Sequence, residues 1–202
     1  MAVTRILALA ALAGLAGCSF IGDTIKSELA AYAEPASGDL AHVRLIGSRN
    51  VKVYPNSTCA SFTVPGSGYP AGPQMGGQRK RDIGMPEVPG MPDHFGEVAP
   101  PAGGPITMSF NFYQESYTPG IPGTGAPGTR SASGCSAARS FVPRVGENYE
   151  AIARNRGSWC ALSVFRLQQD DAGTWRRMGE ISAEAAGCGA NAGEAETDTA
   201  SR

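Results

Sequence analysis

The stretch ITMSFNFY, Ile106 to Tyr113, decides the fold class, because its apolar and polar side chains alternate without a break. Ile106, Met108, Phe110 and Phe112 share one face, and the residues between them carry hydroxyl, amide and phenol groups on the other. A period of two is typical of a β-strand with one face in the core and the other in solvent. We therefore predict a half-buried antiparallel strand here.

Shorter alternating stretches extend this β pattern along the chain. Residues 43–45 and 51–53 are predicted to pair as a hairpin around the turn 47–50, and residues 60–64 to form a third short strand. Further strands are predicted at 94–99, 139–142, 148–154, 159–167 and 174–182, the last two pairing across the turn 170–173. About seven to nine short strands predict an all-β antiparallel sandwich over residues 39–188. His42 and Arg44 are expected to face water, because they alternate with apolar neighbours.

Segments rich in proline and glycine separate the strands. Residues 64–105 contain 9 Pro and 10 Gly among 42 residues, a density that excludes a helix or an interior strand over most of the segment. We predict long loops at 64–92 and 118–134. Residues 189–202 are small and polar with three acidic side chains, and are predicted to be a disordered tail.

The N-terminus has the features of an export signal. Arg5 is followed by an apolar run of 11 residues, 6–16, whereas a bilayer span needs roughly 20. The run ends in Leu15-Ala16-Gly17-Cys18, and Ser19 follows. Residues 1–17 are predicted to be a signal peptide and residues 18–38 a tether. Weak helical periodicity from 20 to 33 predicts a helix in the tether.

Leu15-Ala16-Gly17-Cys18 resembles the lipobox of bacterial lipoproteins. The resemblance implies that the signal is cut before Cys18, that the sulfur of this residue carries a diacylglycerol, and that its amino group receives a further acyl chain such as palmitate. Several chains of this kind make membrane anchoring stable. Ser19 stands where an inner-membrane retention signal would have Asp, so the resemblance implies the outer membrane, with the domain facing the periplasm. The alternative is an ordinary secretory signal followed by a chance cysteine.

The charge balance argues against nucleic acid as a partner. The whole chain has 17 Lys and Arg against 18 Asp and Glu; removal of residues 1–17 takes away only Arg5, which leaves 16 against 18, a net charge of −2. The only dense basic run, Arg79-Lys80-Arg81, lies in a Pro/Gly-rich segment and is interpreted as a solvated loop. Contact with acidic lipid headgroups or an acidic partner is the alternative for this run.

Four cysteines remain after Cys18: Cys59, Cys135, Cys160 and Cys188. An even number in an exported chain predicts two disulfides, and no C-x-x-C motif points to zinc or redox chemistry. Of the three possible pairings we favour Cys59–Cys135 with Cys160–Cys188. Cys160 begins a predicted strand, and Cys188 follows the strand predicted to pair with it.

No residue set typical of catalysis, metal binding or cofactor binding is recognisable. His42 and His94 are the only histidines and are interpreted as surface residues. The sequence has no Gly-x-Ser-x-Gly elbow, no cluster of His with carboxylates and no phosphate-binding glycine loop. The acidic residues that a hydrolase would need occur singly, in predicted loops or on predicted solvent-facing strands: Glu87, Asp93, Glu97, Glu115, Glu147 and Glu150.

Two stretches resemble small β-sandwich lipoproteins of the cell envelope. One is Val51 to Pro55, leading to Cys59, and the other is Phe141 to Pro143, followed by Gly146 to Glu150 and by Cys160. The resemblance implies a β-sandwich and supplies no catalytic residue. Tyrosines suited to a partner surface stand at Tyr54, Tyr69, Tyr113, Tyr117 and Tyr149.

We therefore expect a non-enzymatic, membrane-anchored protein of the cell envelope. It is expected to bind another envelope protein through strand edges or through the Pro/Gly loops. The alternatives are a protein that binds a small ligand in a pocket and, with less support, a hydrolase built on two carboxylates.

Overall fold

The computed structural model describes residues 30–47, 50–61, 63–70, 81–120, 123, 127–185 and 188. The predicted signal peptide, Cys18 and the predicted tail lie outside these residues. The described part contains nine strands: β1 (His42–Ile46), β2 (Val51–Tyr54), β3 (Phe95–Val98), β4 (Ile106–Thr118), β5 (Thr129–Phe141), β6 (Asn148–Arg156), β7 (Trp159–Gln169), β8 (Trp175–Glu180) and β9 (Ala183–Glu184). Among the described residues, no helix is long and apolar enough to cross a membrane.

The strands form two sheets that enclose one core. The first sheet has the order β3-β1-β6-β7-β8 and the second the order β2-β4-β5-β9. Val43 and Leu45 of the first sheet and Ile106 and Met108 of the second are fully buried in the same apolar cluster. The predicted all-β, two-sheet class is confirmed. The pairing is antiparallel apart from β1 and β6, which run parallel in register from His42 opposite Asn148.

The predicted hairpin of β1 and β2 is wrong, because the two strands belong to different sheets. The chain crosses between the layers just after β1, where Gly47 has φ 76°. A Cβ at Gly47 would lie 2.6 Å from the carbonyl oxygen of Ala153, so the crossing requires glycine. Alternation showed which face of each strand points into the main core, but a turn between two layers has the same composition as a turn within one.

The strands β4 and β5 are longer than predicted. They pair over their whole length, from Ile106 opposite Phe141 to Thr118 opposite Thr129. The predicted loop 118–134 is therefore wrong at Thr118 and over residues 129–134, which are strand. Residues 129–134 are small and polar, and they form a strand because β4 supplies a hydrogen-bonding partner rather than because their side chains favour one.

Other predictions near the second sheet also differ from the structure. Residues 60–64 were predicted to be a strand, but their described part is a turn in which the Val64 amide donates to the Ser61 carbonyl. The end of the predicted tether helix is extended instead. Ala31 bridges to Tyr69, and the amide of Tyr32 donates to the Tyr69 carbonyl. The rest of that predicted helix lies outside the described residues.

The four cysteines form two disulfides, as predicted, but the favoured pairing is wrong. The bonds are Cys59–Cys188 and Cys135–Cys160, with Cα atoms 5.3 and 5.5 Å apart. Cys135 on β5 and Cys160 on β7 face each other across the two sheets. Cys188 follows β9, which lies at the edge of the second sheet beside β5, and it therefore reaches Cys59 rather than the first sheet.

Candidate functional site

Four charged side chains form a ladder across the outer face of the first sheet. Glu97, Arg44 and Glu150 stand side by side on the adjacent strands β3, β1 and β6. An Arg44 Nη atom lies 2.8 Å from a Glu97 oxygen, and the other lies 3.6 Å from Glu150 Oε1. Arg177 on β8 makes a further ion pair with Glu150. We call Glu97, Arg44, Glu150 and Arg177 the charge ladder.

A segment of the Pro/Gly-rich region, residues 81–91, covers the charge ladder, and we call it the strap. The backbone amides of Ile83 and Met85 donate to Glu97 Oε2 at 2.8 and 3.3 Å. In return, Arg44 donates to the Met85 carbonyl at 3.1 Å. Met85 and Val88 of the strap pack with Leu167 in a second apolar cluster. The strap is thus fixed to the sheet by both polar and apolar contacts.

The strap explains why three sequence predictions are wrong. Arg44, Glu97 and Glu150 were expected to be exposed, yet their side chains are only 1%, 0% and 0% exposed. Alternation along β1, β3 and β6 placed them on the face away from the main core, but the strap forms a second layer over that face. The two glutamates do share one arginine, and both are enclosed. They therefore lack the open pair of carboxylates that a glycoside hydrolase presents to its substrate.

The outer half of the β4–β5 hairpin projects beyond both sheets. It comprises residues 112–118 and 129–135, which pair only with each other in the described part of the chain. On one side, β2 pairs with β4 no further than Phe110. On the other, β9 pairs with β5 only at Arg139 and Ser140. We call residues 112–118 with 129–135 the ribbon; both of its edges offer backbone N–H and C=O groups.

Three large aromatic side chains are exposed at this end of the molecule. Tyr113 and Tyr117 lie on one face of the ribbon and are 69% and 63% exposed, and Trp159, at the start of β7, is 59% exposed. The Cys135–Cys160 disulfide joins the inner end of the ribbon, where it meets the sandwich, to β7 beside Trp159. We call the ribbon together with residues 154–159 the tip. The exposure of Tyr113 and Tyr117 confirms what the sequence predicted for them.

The tip carries an excess of positive charge. Its charged residues are Arg130, Arg154 and Arg156 against Glu115. Arg154 and Arg156 are exposed, and Arg130 lies 3.7 Å from Glu115 in an exposed ion pair. Tyrosine, tryptophan and arginine are the residues most enriched where protein interfaces have their largest binding energies. Tyr113, Tyr117 and Arg130 bring two of these residue types together on one face of the ribbon, beside strand edges that are unpaired in the described part of the chain, and this combination is typical of a protein-binding surface.

The opposite end of the sandwich, which we call the base, contains the turn 142–147 and is fixed by local contacts. The Tyr149 hydroxyl donates to Glu147 at 2.7 Å and accepts from the Arg144 amide at 2.9 Å. Burial, and secondarily the neighbouring Glu147, raises the pKa of Tyr149 to about 12. Tyr149 therefore serves the core and not a partner surface, which corrects the sequence interpretation; Tyr54 is buried as well.

Neither histidine takes part in a catalytic arrangement within the described residues. His94 is exposed, as predicted, and His42 is partly buried at the mouth of a pocket of about 240 Å³ beside the strap. No group of three or more His, Cys, Asp or Glu side chains in the described part is placed to hold a metal ion.

A larger groove of about 580 Å³ lies between the strap and β8, where Val88, Met91 and Trp175 line it.

The tip gives only weak signals in the sequence and was not predicted from it. Tyr113 ended the clearest predicted strand, but the polar residues 114–118 gave no reason to extend it. The strict length match between 106–118 and 129–141 becomes visible only once the pairing register is known.

Comparison of the chain with protein-family models, with curated proteins and with solved structures finds no match.

Proposed function

We propose that this protein is a lipid-anchored, non-enzymatic protein of the bacterial cell envelope that binds another envelope protein through its tip. The observation that carries the proposal is the ribbon within the tip, where Tyr113, Tyr117 and Arg130 are exposed on one face and both strand edges are unpaired among the described residues. Clusters of this kind provide most of the binding energy at protein interfaces. The lipobox at Cys18 supports the anchor, and two disulfides suit an oxidising compartment.

The direction of β1 is compatible with a tether at the base and a binding surface at the tip. The strand β1 begins opposite Asn148, at the base, and runs parallel to β6 toward residues 154–156 of the tip. The chain therefore enters the first sheet at the end away from the tip. A lipid attached N-terminal to this point would leave the tip free to reach a partner.

The strap is a less suitable contact than the strand edges. Its backbone and its apolar side chains are engaged by the sheet through Glu97, Arg44 and Leu167. Deletion of residues 66–92 would remove this layer and expose three buried charges, so such a deletion would test stability rather than binding. Substitutions at exposed tip residues avoid that problem.

Crosslinking in intact cells followed by affinity purification tests the proposal. The wild-type chain is compared with Cys18→Ser, with the tip variant Tyr117→Ala/Trp159→Ala, and with Val142→Ala/Val145→Ala. Val142 and Val145 are 57% and 58% exposed at the base, so this pair is a control for the substitution of exposed apolar side chains away from the tip. We expect one discrete envelope protein to be enriched with the wild type and the control, and to be lost with the other two. Equal enrichment with the tip variant would overturn the proposal.

The groove beside Trp175 favours a second candidate function, the binding of a small ligand. Its volume lies in the usual range for ligand sites, and Val88, Pro89, Met91 and Trp175 line it together with the carboxylates of Glu87 and Asp93. The chain has two tryptophans, so Trp159→Phe leaves Trp175 as the only indole. Saturable changes in the fluorescence of this variant, in a screen of small amphipathic compounds, would support ligand binding. Unchanged fluorescence throughout the screen would count against it.

A further inference from the structure

A groove of about 650 Å³ lies on the outer face of the second sheet, and we call it the sheet groove. Ser109 and Asn111 of β4 and Ser136 of β5 line it from the sheet, and Asn111 stands directly opposite Ser136. These residues alternate along their strands with Met108, Phe110 and other side chains of the core, so they face away from it. The volume lies in the usual range for ligand sites.

The Cys59–Cys188 disulfide builds one wall of the sheet groove. The strands β2 and β9 are opposite edges of the second sheet, yet Cys59 follows β2 and Cys188 follows β9. The bonded segments therefore cross the outer face of the sheet, where the Thr107 hydroxyl donates to the Ser57 carbonyl at 2.8 Å. The residues that line the groove from this side are Ala60, Ser61, Ala185 and Cys188. Because a covalent bond fixes this wall in advance, a ligand does not have to order it.

The lining of the sheet groove is rich in small hydrogen-bonding groups and nearly balanced in charge. The polar side chains that line it are those of Tyr54, Ser61, Ser109, Asn111, Ser136 and Glu184. Hydroxyl and amide groups each donate and accept hydrogen bonds. Glu184 is the one charged residue among these described side chains, and it stands opposite Arg139 in the pairing of β5 with β9. An uncharged ligand with many hydroxyl groups matches this lining.

Tyr113 adds an exposed aromatic ring at the ribbon end of the sheet groove. It is the next residue after Asn111 on the same face of β4, about 7 Å further along the strand. The residue directly opposite is Gly134, and a Cβ there would lie 3.5 Å from Tyr113 Cδ2, so the ring leans onto the glycine. The side chain is still 69% exposed. A ring that rests on backbone and stays this exposed leaves a face free for stacking.

We propose that the sheet groove and Tyr113 bind a neutral segment of a glycan chain. A sugar ring has a patch of C–H groups, which packs on the electron-rich face of an aromatic ring, and a rim of hydroxyls, which bond to hydroxyl and amide side chains. Tyr113 and the groove supply these two kinds of contact side by side. Glu184 gives no attraction to phosphate, sulfate or uronic acid groups. The site goes beyond the proposed function, whose tests rest on Tyr117 and Trp159.

Titration calorimetry with the full lipidated chain tests the proposal, in a detergent that has no sugar headgroup. The neutral probes are maltohexaose, cellohexaose and hexa-N-acetylchitohexaose, and each is compared with its monosaccharide. A hexamer of galacturonic acid is the charged comparison. We expect at least one neutral hexasaccharide to bind with a Kd of about 1 mM or below, and about tenfold tighter than its monosaccharide, because the groove and Tyr113 contact different sugar rings.

Substitutions assign the binding to this face. Tyr113→Ala should weaken binding of that hexasaccharide about tenfold, whereas Tyr113→Phe keeps the ring and should stay within about twofold. Asn111→Ala/Ser136→Ala should also weaken binding about tenfold, through loss of hydrogen bonds. The matched control is Trp159→Ala, which removes an aromatic side chain that is 59% exposed. Trp159 alternates with Cys160, which packs against the core, so it faces outward from the first sheet, and its loss should leave affinity unchanged. Circular dichroism checks that each variant keeps the β fold.

Several outcomes would overturn the proposal. Absence of binding by all three neutral hexasaccharides at roughly 10 mM would remove the ligand class, and tighter binding of the galacturonic acid hexamer would replace it by an anionic one. Equal affinity for monosaccharide and hexasaccharide would assign a free sugar instead of a chain. Equal weakening by Tyr113→Ala and Trp159→Ala would exclude this face. Crosslinking of the tip is measured separately, so any of these results leaves the proposed function standing. Loss of the crosslink with retained saccharide binding would overturn the proposed function alone.

Discussion

Replacement of Glu97 by glutamine tests whether the charge ladder and the strap form one structural unit. The side chain of Glu97 is 0% exposed and accepts hydrogen bonds from Arg44 and from the amides of Ile83 and Met85. Glu97→Gln keeps the volume but leaves Arg44 buried with only Glu150, 3.6 Å away, to balance its charge. Breaking a buried pair in this way destabilises a protein by about 3–5 kcal/mol.

The expected loss is read from urea unfolding and from thermal melting. Since Glu150 compensates part of the charge on Arg44, we expect a loss near 3 kcal/mol, or a decrease in Tm of roughly 6–12 °C for a domain of this size. Hydrogen exchange at Ile83 and Met85 should accelerate, because their amides lose a charged acceptor. The matched control is Glu115→Gln, which removes the exposed pair with Arg130 and should change stability by about 0–1 kcal/mol. Equal effects of the two substitutions would refute the structural role of the ladder.

Three further predictions concern other parts of the fold. Cys135→Ala/Cys160→Ala opens a bond that spans 25 residues and should lower the unfolding free energy by about 3 kcal/mol in urea titrations; an unchanged midpoint would contradict this pairing. The pKa of Tyr149 is raised from 10.0 to about 12, so the unfolded state loses this proton first and stability should decline between these pH values. Melting curves of Tyr149→Phe should show a shallower decline over that window, and an identical slope would refute this assignment. A Cβ at Gly68 would lie 2.3 Å from the backbone of Ala31, so Gly68→Ala should lower Tm by several degrees, whereas Gly179→Ala, with open space around it, should not; equal melting temperatures would contradict the close approach.

The parts of the fold that depend on local alternation could be predicted from the sequence. The strand β4 was recognised from Ile106, Met108 and Phe110, which the structure buries in the core. The pairing of β7 with β8 was also predicted and is confirmed. In both cases the information lies within one or two neighbouring strands, where period-two patterning and turn residues act directly.

The features that decide the candidate site depend on contacts between distant parts of the chain. Arg44 and Glu97 are 53 residues apart, and the strap that buries them has the composition of a loop. The parallel pairing of β1 with β6 brings Glu150 beside Arg44, and no local pattern specifies that pairing. The disulfides follow from the same non-local order of strands, which is why all three pairings remained compatible with the sequence.

The ribbon contains a strand that the local sequence does not indicate. Residues 129–134 have little intrinsic preference for a strand, and they adopt one because β4 lies alongside. An isolated two-stranded hairpin is only marginally stable in water, so the Cys135–Cys160 bond at the inner end of the ribbon helps to stabilise it. The Tyr117 side chain also lies close to Gly128, because a Cβ at this glycine would be only 2.5 Å from the Tyr117 hydroxyl.

The central claim is that the tip, and not the base, contacts a partner in the envelope. A photoreactive amino acid placed at Tyr117 or at Val145, each in an otherwise wild-type lipidated chain, tests it most directly, because both positions are well exposed and lie at opposite ends of the fold. After irradiation of intact cells, our account predicts one discrete crosslinked protein from position 117 and none of that size from position 145. The same band from both positions, or a band from position 145 alone, would contradict it.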